Sequence, residues 1–124
     1  MELNNKEKIC SENREQMLLI QWFKRNHPGI LIFHIPNGGY RRPSEAAKLK
    51  AMGLTPGIPD LFIPEWRLFI EMKRTKGGKL SDDQISVIKH LQCVNYCVNI
   101  AHGHEQAIQQ IKDDYEKYIC NNQD

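Results

Sequence analysis

The segment Leu68-Phe69-Ile70-Glu71-Met72-Lys73 constrains this 124-residue chain more than any other. It reads as a strand, and in a strand side chains two apart point the same way. Phe69, Glu71 and Lys73 therefore share one face, and Leu68, Ile70 and Met72 share the other. Two charges at the end of an apolar strand place that end at a sheet edge opening onto a cleft. The preceding segment, Asp60-Leu61-Phe62-Ile63, is joined to it through the turn Pro64-Glu65-Trp66. The two strands are predicted to form a hairpin, over Asp60–Ile63 and Arg67–Lys73, that sets Asp60 beside Glu71. Taken alone, these residues also fit a cross-strand Glu71–Lys73 ion pair with Asp60 as a turn cap.

Two carboxylates held together raise each other's pKa unless a cation neutralises them. Oxygen ligands of this kind suit a hard divalent ion, Mg²⁺ or Mn²⁺. Such an ion polarises a phosphoryl oxygen and acidifies a bound water. A lysine beside it could orient that water or stabilise charge growing on a phosphate. The pattern points to phosphodiester hydrolysis.

The rest of the chain reads as a mixed α/β domain in the order α-β-(α)-β-β-α-β-α. Ser11 is a plausible N-cap for an amphipathic helix over Glu12 to Asn26. Glu15 lies on the same face as Leu18 and Leu19, where a carboxylate is out of place in a plain core helix. Pro28-Gly29 ends that helix, and Ile30–Ile35 reads as a strand. After the turn Pro36-Asn37-Gly38-Gly39, residues Ser44 to Met52 form a short helix closed by Gly53. Thr55-Pro56-Gly57-Ile58-Pro59 is a rigid bend. Ser81 to Gln84 carries a capping-box pattern that opens another helix. Val94–Ala101 reads as a strand, and Ile108, Ile111, Tyr115 and Ile119 mark one closing helix. One domain over 1–124 is expected, with 1–10 and 120–124 as flexible tails.

Composition excludes several classes. Hydrophobic residues are 40% and charged residues 26%, ordinary for a globular protein. No run approaches the ~20 apolar residues of a membrane span. The first residues lack the apolar core of a secretion signal, so a cytoplasmic setting is expected. Cys10, Cys93, Cys97 and Cys120 lack zinc-type spacing and read as partly buried free thiols. His102-Gly103-His104 reads as a polar turn. Net charge is only +2, but its distribution is uneven. Residues 41–80 carry nine Lys/Arg against four acids, whereas residues 81–124 carry three against seven. A basic middle fits a phosphate-binding face as well as it fits a solvated surface.

Pro59-Asp60 followed by Glu71-Met72-Lys73 resembles the signature of the PD-(D/E)XK nuclease superfamily. The chain more specifically resembles its VRR-NUC family over about residues 11–119. The stretches that carry the resemblance are His34 to Gly39, Leu49 to Gly53, Pro56 to Leu61, Ile70 to Lys73 and Gly78 to Gln84. The resemblance implies a restriction-endonuclease-like core, α-β-β-β-α-β with a flanking C-terminal helix, and metal-dependent cleavage of branched or flapped DNA. It implies Asp60, Glu71, Lys73 and Gln84 as catalytic residues. It implies Glu15, Asp60, Glu71 and the backbone carbonyl of Met72 as ligands of Mg²⁺ or Mn²⁺. Gln84 is also a capping-box residue, and a supporting role at the site is expected for it. DNA contacts are expected at Asn37, Arg41, Arg42, Lys50, Arg74, Lys76 and Lys79, with Asn37 equally able to hold its loop. One departure is Val94-Asn95-Tyr96, where the family often has a glycine.

Short stand-alone members of such families occur mainly in phages and bacteria. They resemble symmetric, dimeric junction-resolving enzymes, so a homodimer acting on four-way (Holliday) junctions is expected. Its pairing surface is expected on the first helix or around Tyr40–Met52. The rival readings are a flap or restriction-like nuclease on the same fold, and a catalytically silent DNA-binding module. Intact Asp60, Glu71 and Lys73 speak against the second.

Overall fold

The computed structural model describes residues 11–36 and 42–120. Asn37 and Arg41 lie outside the described residues, as do Cys10 and most of both expected tails. The first helix, α1 (Glu12–Asn26), starts at Ser11, whose side chain accepts from the Arg14 amide. A short strand β1 (Phe33–His34) and helix α2 (Pro43–Ala51) follow, then β2 (Leu61–Ile63) and β3 (Leu68–Lys73). The chain continues through α3 (Asp82–Cys93), β4 (Cys97–His102), α4 (His104–Asp113) and α5 (Tyr115–Cys120). Among the described residues the strands form one four-stranded mixed sheet in the order β1-β2-β3-β4.

The hairpin register is the one the charge pattern required. Leu61 pairs with Ile70, Phe62 with Phe69 and Ile63 with Leu68, antiparallel. One step further along the same register, Asp60 faces Glu71. Beyond β3, the β4 strand runs parallel, pairing Lys73 with His102. Leu61, Ile63, Leu68, Ile70 and Met72 point to one face and pack in a single core with Leu19 and Phe23 of α1 and Ala107 and Ile111 of α4. The opposite face carries Phe33, Phe62 and Phe69 in successive ring contacts, with Phe62 stacked on Phe69 at 4.2 Å between centroids. Asp60, Glu71 and Lys73 share that second face, at the open end of the strands.

Several boundaries differ from the expectation. The first strand shortens from Ile30–Ile35 to Phe33–His34, although Ile35 still donates to the Asp60 carbonyl at 2.8 Å. The strand expected from Val94 begins at Cys97. Val94 caps α3, and Asn95 takes φ 71° to turn the chain. Asparagine is among the few non-glycine residues that tolerate this conformation. The single closing helix is divided at Asp114, which caps α4 before α5 begins. Cys93, Cys97 and Cys120 are free thiols, but Cys93 and Cys120 are exposed rather than partly buried. Among the described residues, no helix is long and apolar enough to cross a membrane.

Candidate active site

The buried charged residues of the described chain are Glu15, Glu71 and Lys73. A buried charge is costly unless it is paired and hydrogen-bonded, so each must be accounted for. The partners of Glu71 and Lys73 come from the adjacent strand and from the first turn of α3.

Asp60 emerges from the Thr55–Pro59 bend beside the end of β3. Its Oδ2 accepts from the Met72 backbone amide at 2.8 Å, which fixes the carboxylate against the strand. Glu71 is only 3% exposed. Burial, and after it the nearby Asp60 carboxylate, pushes its pKa from the ordinary 4.5 up to about 8, with Lys73 offsetting part of the rise. The Lys73 ammonium lies 3.5 Å from Glu71 Oε2 and donates to Gln84 Oε1 at 3.1 Å.

Gln84 completes the expected capping box and also reaches the charged end of β3. Its Oε1 accepts from the Ser81 amide at 2.9 Å while the Gln84 amide donates to Ser81 Oγ, completing the capping box. Its Nε2 donates to Glu71 Oε2 at 3.0 Å. The start of α3 is thereby tied to both charged residues of β3. The same helix start is fixed from below by Gly57, where an added Cβ would come within 2.5 Å of the Asp83 carbonyl oxygen.

Asp60, Glu71 and Gln84 line a cleft of about 260 Å³, together with Glu12 and Asp83. Glu12 and Asp83 escaped the sequence reading. Glu12 sits three residues before Glu15 and so shares its helical face, which was the available signal. Glu15, the helix-one carboxylate expected at the metal, does not line this cleft. Its Oε1 instead accepts from the His104 amide at 2.8 Å and contacts His104 Nδ1 at 2.6 Å.

The donor chemistry of the cleft fits a hard divalent cation. Asp60 and Glu71 repel each other while both are ionised, and their oxygens, with Glu12 at the cleft wall, are the ligand type that Mg²⁺ or Mn²⁺ takes. Among the described residues, no three His, Cys, Asp or Glu side chains are already gathered as a metal-holding group. Of the basic residues expected to meet DNA, Arg42 and Lys50 are exposed at α2, and Arg74, Lys76 and Lys79 are exposed in the loop after β3.

The sequence profile of the VRR-NUC domain matches residues 10–105, from the start of α1 to the start of α4. The chain belongs to the VRR-NUC domain family. A solved structure described as a VRR_NUC domain protein is similar, at 30% identity and a TM-score of 0.72, over 84% of this chain and 87% of that one. No curated protein matches the chain. VRR-NUC membership makes this a nuclease-related, DNA-processing domain, and the matched span contains Glu12, Asp60, Glu71, Lys73 and Gln84.

Proposed function

We propose that the chain is a metal-dependent, structure-specific DNA endonuclease that hydrolyses phosphodiester bonds in branched DNA such as four-way junctions. The observation that carries this reading is Glu71, a buried carboxylate held beside Asp60 and coordinated by the Lys73 ammonium and the Gln84 amide.

In this reading Asp60, Glu71, the Met72 carbonyl and Glu12 hold Mg²⁺ or Mn²⁺. The bound ion supplies a polarised phosphoryl oxygen and a water acidified toward neutral pH. The protein's own groups do the rest. Lys73, nearly buried and anchored by Gln84 at 3.1 Å, presents a fixed positive charge to the phosphate oxygen that gains charge. Gln84 holds that lysine and Glu71 in one arrangement, so little reorganisation is needed when substrate arrives. Arg74, Lys76 and Lys79 leave the end of β3 toward the substrate side and grip phosphates, while Arg42 and Lys50 extend the basic surface. A domain of this size offers little surface beyond its cleft with which to hold a branched duplex, so the acting unit is a homodimer matched to a two-fold substrate. It acts in the cytoplasm of a bacterial or phage-infected cell.

A substrate panel tests the proposal. Four-way junction, flap, splayed and linear duplex DNA are incubated with the protein, with Mg²⁺, with Mn²⁺ or with chelator. Preferred cutting of the junction that needs the divalent ion is the expected result. Preferred cutting of the flap or of linear duplex moves the assignment to another specificity on the same fold. Binding without cutting moves it to a silent DNA-binding module.

A further inference from the structure

We propose that Glu15 is a positioning residue rather than a metal ligand: its carboxylate caps α4 and, through Gly103 and His104, holds the backbone of Lys73 in place. This rests on the reading of Lys73 as a catalytic residue.

Glu15 is 3% exposed, so its carboxylate must be satisfied from within the protein. It meets both the backbone and the ring of His104, at 2.8 and 2.6 Å. The N-cap of α4 is Gly103, which has no side chain to receive the helix's unpaired amides. An acceptor has to come from elsewhere, and a negative charge is favourable at a helix N-terminus. Glu15 supplies both from α1.

The consequence for the site runs through one residue. Gly103, which follows β4, donates to the Lys73 carbonyl at 2.9 Å. A Cβ on Gly103 would lie 2.6 Å from Thr75 Cγ2 and 3.5 Å from Glu15 Oε1, so there is little room between α1, the start of α4 and the loop that follows β3. Loosening His104 loosens Gly103, and with it the backbone that carries Lys73. The Lys73 ammonium reaches Gln84 at 3.1 Å, and where it sits depends on the backbone that carries it. The Glu15 oxygen that a metal would take is already engaged by His104 at 2.8 and 2.6 Å, and the α1 carboxylate lining the cleft is Glu12. The motif His102-Gly103-His104 thereby acquires a task beyond forming a turn.

The test compares Glu15→Ala, Glu15→Gln and Glu12→Gln in the full chain. It uses amide exchange at Gly103 and His104, thermal stabilisation across a Mn²⁺ titration, and single-turnover cleavage. Glu15→Ala is expected to speed exchange at both amides by about tenfold or more, through local opening. It should slow cleavage about tenfold to hundredfold, because small displacements of a catalytic group are costly. The Mn²⁺ midpoint should stay within about twofold of wild type, whereas in Glu12→Gln it rises by more than about tenfold. Glu15→Gln, whose amide oxygen still accepts from the His104 amide, should recover most of both losses. The proposal is overturned if Glu15→Gln shifts the Mn²⁺ midpoint as Glu12→Gln does. It is overturned equally if Glu15→Ala leaves exchange at Gly103 and His104 at wild-type rates. Should Glu15→Ala not fold, Glu15→Gln alone decides between near-wild-type metal binding and its loss. If the wild type cuts no DNA at all, the nuclease reading fails, while the exchange and titration arms still judge Glu15.

Discussion

Replacing Gly57 by alanine tests how the cleft is assembled. The residue has φ +93°, and an added Cβ would lie 2.5 Å from the Asp83 carbonyl oxygen, 2.6 Å from its carbon and 2.8 Å from the Gln84 nitrogen. All three are backbone atoms, so no side-chain rotation relieves the overlap. The bend before Asp60 must move away from the first turn of α3. A left-handed conformation costs a non-glycine residue about 1–2 kcal/mol, and overpacking typically adds about 1–3 kcal/mol. The sum of about 2–5 kcal/mol should lower the melting temperature of a chain this size by roughly 6–20 °C. Gly53 supplies the control. Its φ is +107°, yet a Cβ there meets nothing within 4 Å, so Gly53→Ala incurs only the conformational part. Parallel thermal melts of both variants isolate the clash. Cleavage below both melting temperatures should fall in Gly57→Ala alone, since displacement of α3 carries Gln84 away from Glu71 and Lys73. If the two variants melt together, the packing of the bend on α3 is not what positions the site.

Three further outcomes follow from the same geometry. The Glu71 carboxyl has a pKa of about 8 in the metal-free fold against an ordinary 4.5, so the folded state holds the extra proton between those values. Its contribution to stability is full below about pH 4.5 and is lost as pH rises toward 8. Melts of metal-free wild type should therefore decline across that window more steeply than those of Glu71→Gln, and saturating Mn²⁺, which binds the ionised form, should remove the difference. Replacing Arg74, Lys76 and Lys79 together by alanine should weaken DNA binding and flatten the log–log salt slope by up to about 3, with the Mn²⁺ midpoint unchanged; an unchanged slope puts the DNA path elsewhere. Light scattering should return twice the 14.5 kDa chain mass, and mixed dimers with one Glu71→Gln subunit should nick a junction without cutting both strands.

What could be read from the sequence was what local geometry determines. Alternation along Leu68–Lys73 fixed the faces of β3, and the turn at Pro64–Trp66 fixed the register that brings Asp60 to Glu71. Ser81 and Gln84 announced a capping box that is present in full. Docking depth was not legible. Glu12 and Glu15 are one turn apart on the same face of α1, and periodicity gives the face without saying which turn lies over the cleft. That depends on how α1 packs on α4, through contacts distant in sequence such as Glu15 to His104. Nor could periodicity show that Asn95 would adopt a left-handed turn and delay β4 to Cys97.

The central claim, that Asp60, Glu71 and Lys73 form a metal-dependent cutting centre, is tested most directly by single-turnover cleavage of a four-way junction in Mn²⁺. Wild type is compared with Asp60→Asn, Glu71→Gln and Lys73→Ala, each shown to be folded by its melt. The account predicts a loss of about a hundredfold or more in every variant, and no cleavage by wild type in chelator. Wild-type rates in all three variants, or cutting that persists without a divalent ion, would contradict it.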